Sequence, residues 1–266
     1  MGKSLRLSRI FRKDTGNALV LPVDHGIGGS LKGLEDPVQT IKALQTSDID
    51  AVLLNDGIAK QVEESFYGRN APGRMLNADV FSYDTTNDKL EHHVTFSPEL
   101  AVRKGYDCMK FVLFWDRPAE ERMRSISLLA SIIEEADKWD MPVLIEPLAS
   151  KPIEDPEEYK KVLTDANRVA YELGADILKV AYPGDNETLK DWVKKFNVPI
   201  ILLGGGKTGT KEDLIKLVAE AVDVGVNGVA IGRNVWQRPV EEAKELLRNF
   251  ADIIHQPRQR NGGFMR

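Results

Sequence analysis

Eight short apolar runs recur along the chain, and a longer amphipathic run follows each. The apolar runs are 18–23, 51–54, 77–81, 110–114, 142–146, 176–180, 199–203 and 228–231. Most lack a polar alternate, the pattern of strands buried on both faces. Helical patterns fill the intervals at 37–45, 57–64, 98–104, 118–139, 156–173, 186–196, 211–224 and 240–254. Asp36-Pro37, Ser97-Pro98 and Asp155-Pro156 each place a capping oxygen before a proline suited to the first helical position. Eight β/α units in order predict an α/β fold, the closed (β/α)₈ TIM barrel. The length of 266 residues suits one such domain spanning 1–266. An open doubly wound sheet is the competing fold. It would carry its glycine-rich loop after the first strand, whereas here the glycine cluster follows the seventh. The stretch 64–88 is long, polar and glycine-containing, and is expected to hold a functional or oligomer loop.

Composition narrows the function classes. A net charge of −5 gives nucleic-acid binding no global electrostatic support. The N-terminal residues have no long apolar segment behind them, so neither a signal peptide nor a membrane span is expected. Cys108 is the only cysteine, which rules out an internal disulfide and suits a reducing cytoplasm. It reads as a buried structural thiol. The polar, basic stretch 255–263 reads as a frayed tail or an inter-subunit arm.

Two loops point to an oxyanion. Leu203-Gly204-Gly205-Gly206-Lys207 ends the seventh run, and three glycines let a backbone come close to a ligand with its N–H groups turned inward. Ile231-Gly232-Arg233-Asn234 ends the eighth, where Arg233 is placed to clamp an anion. Phosphate sites of such barrels lie after strands seven and eight.

Charged residues interrupt other strand ends. Lys179 closes the sixth run. Burial favours its neutral amine, the form that attacks a carbonyl, but the pattern accommodates a structural ion pair equally well. Glu146 ends the fifth run, placed to shuttle protons, to hold Lys179, or both. Asp24 follows the first run as a candidate acid/base, and the adjacent His25 reads either as a site residue or as a turn cap. Lys110 opens the fourth run and either points inward, beside Lys179, or is solvated at the barrel's bottom. Asn55 is placed to bind substrate hydroxyls, and Arg117 to reach an anionic substrate end. His92-His93 has neither the partners nor the spacing of a metal site and is expected at the surface.

Pro22-Val23-Asp24-His25-Gly26, Ala175-Asp176-Ile177-Leu178-Lys179, the Gly204 loop and Ile231-Gly232-Arg233-Asn234-Val235-Trp236-Gln237 resemble, in order, the hallmarks of the archaeal-type class I fructose-bisphosphate aldolases. Glu146-Pro147 and Lys110 look more like the tagatose-bisphosphate and sulfofructose-phosphate aldolases. Leu148 stands where the fructose-bisphosphate enzymes carry a tyrosine acid/base just beyond the fifth strand. The resemblance implies a metal-independent aldolase with a Schiff base on Lys179 and no cofactor, acting on a phosphorylated ketose or related keto compound. It implies a phosphate site on Gly204, Gly205, Gly206, Gly232 and Arg233, and a cytoplasmic homo-oligomer. Relatives in the same wider family include a transaldolase-like synthase and a thiolase acting on a phosphorylated dione. A non-catalytic sugar-phosphate sensor is the alternative of another class.

Overall fold

A strand's pleat turns every second side chain to the same face, so the register of each apolar run decides what it offers an enclosed interior. The computed structural model describes residues 2–46, 48–84, 86–205 and 210–256. In it, β1 (Ala18–Pro22), β2 (Ala51–Leu54), β3 (Gly73–Asn77), β6 (Cys108–Phe114), β7 (Val143–Leu148), β8 (Ile177–Val180), β9 (Ile200–Leu203) and β10 (Gly228–Ala230) pair in parallel. They close a barrel in the order β1-β10-β9-β8-β7-β6-β3-β2, the expected TIM barrel. Between β3 and β6 the chain inserts an antiparallel hairpin, β4 (Asp79–Asp84) and β5 (Lys89–Val94).

The connecting helices are α2 (Pro37–Leu44), α3 (Asp56–Gln61), α4 (Pro98–Arg103), α5 (Ala119–Lys138), α6 (Pro156–Glu172), α7 (Asn186–Lys195), α8 (Lys211–Val224) and α10 (Val240–Ile254). Asp36, Ser97 and Asp155 accept hydrogen bonds from the first turns of α2, α4 and α6, as the proline pairs predict. Two short helices were not anticipated: α1 (Gly2–Leu7) before the barrel and α9 (Arg233–Trp236) after β10. Among the described residues no helix is long and apolar enough to cross a membrane.

The third barrel strand corrects the sequence reading. It is Gly73–Asn77, four residues ahead of the expected run at 77–81. Met75 and Leu76 are its buried apolar pair, while Val80 and Phe81 belong to the hairpin. The region 64–88 thus contains a barrel strand and the first strand of a hairpin. The hairpin lies over the ends of β6 and β7, where Leu90 packs with Val112 and Phe114, and Tyr83 and Leu148 join them. Phe81 meets Phe114 edge-on at 4.8 Å.

Inside the barrel, Val20, Leu53, Met75, Leu144, Ile177 and Ile201 pack as one buried cluster. The segment after α1 plugs this cluster from the N-terminal end with Ile10 and Phe11. Two residues further along the same inward faces, apolar gives way to polar: Asn55 follows Leu53, Asn77 follows Met75, Lys110 follows Cys108, Glu146 follows Leu144 and Lys179 follows Ile177. A polar layer therefore sits on an apolar floor at the C-terminal mouth.

Candidate active site

Lys179 stands at the centre of the polar layer. Its Nζ lies 2.9 Å from Oε1 of Glu146, whose Oε2 lies 3.4 Å from Nζ of Lys110. Lys110 donates to Asn77 Oδ1 at 3.0 Å, with Asp24 at 3.7 Å and Asp79 at 3.8 Å. All four of the expected catalytic residues are at least nine-tenths buried: Lys179 and Lys110 are each 5% exposed, Asp24 7% and Glu146 8%. Lys110 thus points inward, which settles the choice left open by its place at the start of a run. Buried charges are tolerated only when paired, and here each lysine faces at least one carboxylate.

Electrostatics assigns protonation to two of these groups. Burial pushes the Asp24 carboxyl up, but the neighbouring His25 ring and the charges of Lys110 and Lys179 outweigh it. Asp24 is held well below the usual carboxylate range. Burial likewise acts against the charge of Lys110, and Glu146, Asp79 and Asp24 overcome it. The ammonium therefore keeps its proton above the ordinary lysine range. The site holds a firm anion at Asp24 and a firm cation at Lys110, 3.7 Å apart, beside the Lys179–Glu146 pair.

The glycine loops lie beside one another because β9 and β10 are paired strands. Gly204 donates its N–H to Ala230, and its carbonyl accepts from Asn234 Nδ2 at 2.8 Å, which ties the two loops together. Gly205 has φ +62° and is exposed. Gly232 is buried so tightly that an added Cβ would stand 2.7 Å from the Pro22 carbonyl oxygen and 2.9 Å from Trp236 Nε1. Arg233 is exposed beside it. Gly206 and Lys207 lie outside the described residues, as does the whole of the tail from 257 onward.

Four other expectations meet mixed outcomes. Asn55 braces rather than projects: its Nδ2 donates to the Asp24 carbonyl at 2.8 Å and its Oδ1 accepts from Asn77 at 2.9 Å. His25 sits edge-on to Trp236 at 5.5 Å, with Nδ1 3.3 Å from Asp24 Oδ1 and no better-aligned partner. Arg117 is not placed as a substrate ligand. Its guanidinium is committed to Glu121 at 2.8 Å and Asp88 at 2.9 Å, and stacks over Tyr83, so it locks the hairpin to α5. His92 is not a surface residue. Lys89, Glu91 and His93 face outward along β5, and the pleat turns Leu90, His92 and Val94 the other way. The His92 side chain is only 6% exposed and lies 2.8 Å from Asp79 Oδ2.

Three residues of the site escaped the sequence reading: Asn77, Asp79 and Asn234. The first two are polar residues at a strand end, the same signal that exposed Asp24 and Glu146. It went unread because a strand starting at Asn77 would put that residue at the wrong end of the barrel. Leu148 is on the inward face of β7, one step above Glu146, and contributes to the apolar seam under the hairpin. Among the described residues no cluster of His, Cys, Asp and Glu is arranged to hold a metal ion.

Comparison with known proteins bears on this geometry. Residues 18–238 match the model of the DeoC/LacD family of aldolases. An uncharacterized aldolase of Saccharolobus solfataricus is 31% identical over 96% of this chain and 95% of its own length. The 2-amino-3,7-dideoxy-D-threo-hept-6-ulosonate synthase of Halobacterium salinarum is 33% identical over 96% of this chain and 92% of its own. An archaeal fructose-1,6-bisphosphate aldolase, solved with its catalytic lysine covalently bound to the carbinolamine intermediate of the substrate, superposes with a TM-score of 0.77. It is 26% identical and is covered in full by 96% of this chain.

Proposed function

The chain belongs to the DeoC/LacD aldolases, and from that premise we propose that it makes or breaks a carbon–carbon bond in a phosphorylated ketose or related keto compound through a Schiff base on Lys179. The observation that carries this reading is the buried Lys179–Glu146 contact at 2.9 Å, with the fixed cation Lys110 and the fixed anion Asp24 beside it. Neutral Lys179 adds to the ketone carbon, and the carbonyl oxygen takes up a proton to give a carbinolamine. Glu146, in contact with the amine, moves the protons by which water leaves and the iminium forms. Asp24 then takes the proton of the hydroxyl beta to the iminium. The C–C bond breaks, its electrons pass to the iminium nitrogen, and an aldehyde departs. Asp24 returns that proton to the enamine carbon, and the iminium so formed is hydrolysed. The Lys110 ammonium supplies the compensating charge while Asp24 and Glu146 exchange protons.

Gly204, Gly205, Gly232 and Arg233 hold the substrate phosphate in this reading, with the sugar chain directed toward Lys179. The glycine spacing, the adjacency of β9 and β10 and the exposed Arg233 support it. The protein is then a single barrel domain in a cytoplasmic homo-oligomer, where a buried Cys108 thiol stays reduced; light scattering on the purified protein checks the assembly. The decisive test is borohydride reduction in the presence of dihydroxyacetone phosphate. The mass of the reduced adduct should appear on the peptide holding Lys179 and vanish in Lys179→Met, with turnover lowered about a thousandfold or more. Absence of an adduct with any phosphorylated ketose or related keto compound would overturn the reading.

Leu148 favours a second reading within the same chemistry, transfer of the enamine or an acyl group to a second substrate. An apolar residue on the inward face above Glu146 removes one proton donor from the mouth and leaves an apolar wall there. Slow cleavage of a single ketose phosphate, accelerated by an added aldehyde or acyl acceptor, distinguishes transfer from simple cleavage.

A further inference from the structure

The mechanism above leaves one buried carboxylate and its histidine partner without a role. Asp79 is the first residue of the hairpin and only 1% exposed. Its Oδ2 accepts from the Val112 backbone N–H at 2.6 Å and meets His92 Nε2 at 2.8 Å, where the ring nitrogen donates its N–H to the carboxylate. The other oxygen, Oδ1, is buried without a hydrogen-bond partner and faces Lys110 Nζ at 3.8 Å. A buried carboxylate oxygen left unsatisfied is costly unless a charge nearby compensates for it. Lys110 is that charge. It lies 3.4 Å from Glu146, 3.7 Å from Asp24 and 3.8 Å from Asp79, close to balance among three anions.

We propose that Asp79, oriented by His92, is a positioning residue that keeps the Lys110 ammonium from collapsing onto Asp24, and that the hairpin is thereby part of the catalytic apparatus. This rests on the Schiff-base reading. With Asp79 removed or turned away, the ammonium is drawn to the two remaining anions. Asp24 then forms a tight pair and is no longer available as a base. Lys179 keeps its contact with Glu146, so the imine still forms, and the proton-transfer step that follows it slows. His92 lies on a diagonal across the two-stranded hairpin from Asp79, since Asp79 pairs with Val94 and Phe81 with His92. Its outer edge lines a cleft of about 390 Å³ between the hairpin and α5, where Lys89, Glu91, His93, Glu121 and Arg124 are the charged and titratable neighbours.

Two readouts with one probe separate the steps. Dihydroxyacetone phosphate is reduced onto Lys179 by borohydride to report the imine. In D₂O, exchange of its hydroxymethyl protons, followed by NMR, reports proton transfer to and from the enamine. His92→Phe should leave the adduct at its wild-type level and slow exchange about tenfold in kcat, with KM unchanged because neither residue is near the phosphate loops. Asp79→Asn should behave alike. His92→Gln, whose amide still donates to Asp79, should return exchange to within about threefold of wild type. Exchange in Asp79→Asn within twofold of wild type overturns the proposal, and so does His92→Gln falling as far as His92→Phe. If His92→Phe does not fold, as judged by its melt, the other two variants decide alone. A wild-type protein that gives neither adduct nor exchange refutes the Schiff-base reading itself and this proposal with it, whereas a full adduct with unaffected exchange refutes only this one.

Discussion

Lys110 is the residue on which the site's electrostatics turns. Removing it as Lys110→Met leaves Asp24, Asp79 and Glu146 buried around an apolar side chain, and breaking such a cluster costs about 3 kcal/mol or more at neutral pH. The site's share of the pH dependence follows from two shifts of opposite sign. Asp24 titrates below its unfolded value of about 3.9, so its contribution is complete above that pH and fades as pH falls toward the folded value. Lys110 titrates above its unfolded value of about 10.4, so its contribution is complete below that pH and fades as pH rises through the folded value. Urea unfolding across the pH range should show a plateau with falling limbs on both sides. Lys110→Met should make both limbs shallower than in the wild type, since the raised ammonium is gone and with it the cation that depresses Asp24. Steep limbs in the variant would contradict this. Lys179, Glu146 and Asp24 were legible in the sequence because each interrupts or ends an apolar run, where a charge is costly without a purpose. Asp79 and His92 were not, because their meaning depends on a hairpin register that no local pattern fixes.

At the level of elements, the helices were legible where side-chain caps and prolines marked their starts, and the strands where apolar runs stood alone. The third unit failed because three extended segments, β3, β4 and β5, follow one another within 73–94 and compete for the one strand the barrel needs there. Short α9 was missed for another reason. Four residues cannot show a helical period, and what holds Arg233–Trp236 is tertiary: Trp236 Nε1 donates to the Pro22 carbonyl at 3.1 Å and Asn234 to that of Gly204. This turn is tight enough for a specific outcome. In Gly232→Ala the new methyl would meet a backbone oxygen that cannot yield, and would push against the Trp236–Pro22 hydrogen bond. A cost of about 1–3 kcal/mol in stability is expected, together with a rise in KM for the phosphorylated substrate and little loss in trapped imine per bound molecule. An unchanged KM would remove the β10–α9 turn from the phosphate site.

On the scale of the whole molecule, the two ends of the barrel are built for different tasks. The C-terminal mouth gathers charge. The N-terminal end is closed by three aspartates that precede strands: Asp50, Asp107 and Asp176 each accept a backbone N–H from the neighbouring strand and each pair with a cation of the first twelve residues. Above them, Ile10 and Phe11 complete the apolar floor on which the catalytic lysines stand. Cys108 belongs to that floor, fully buried, and burial pushes its thiol well above the ordinary range. A thiol reagent therefore reaches it only when the barrel opens, so its labelling rate reports global unfolding. Phe11→Ala empties a space in the floor and should cost about 3 kcal/mol. At 1.4 kcal/mol per factor of ten, Cys108 should then label about a hundredfold faster in the same buffer. The polar layer lies on the far side of the apolar floor from Phe11, so imine trapping on Lys179 and kcat at a temperature well below the melt should stay at wild-type values. A proportional loss of both stability and turnover would mean that the floor sets the geometry of Lys110 and Lys179 directly, and that the division between a stabilising end and a reacting end does not hold in this barrel.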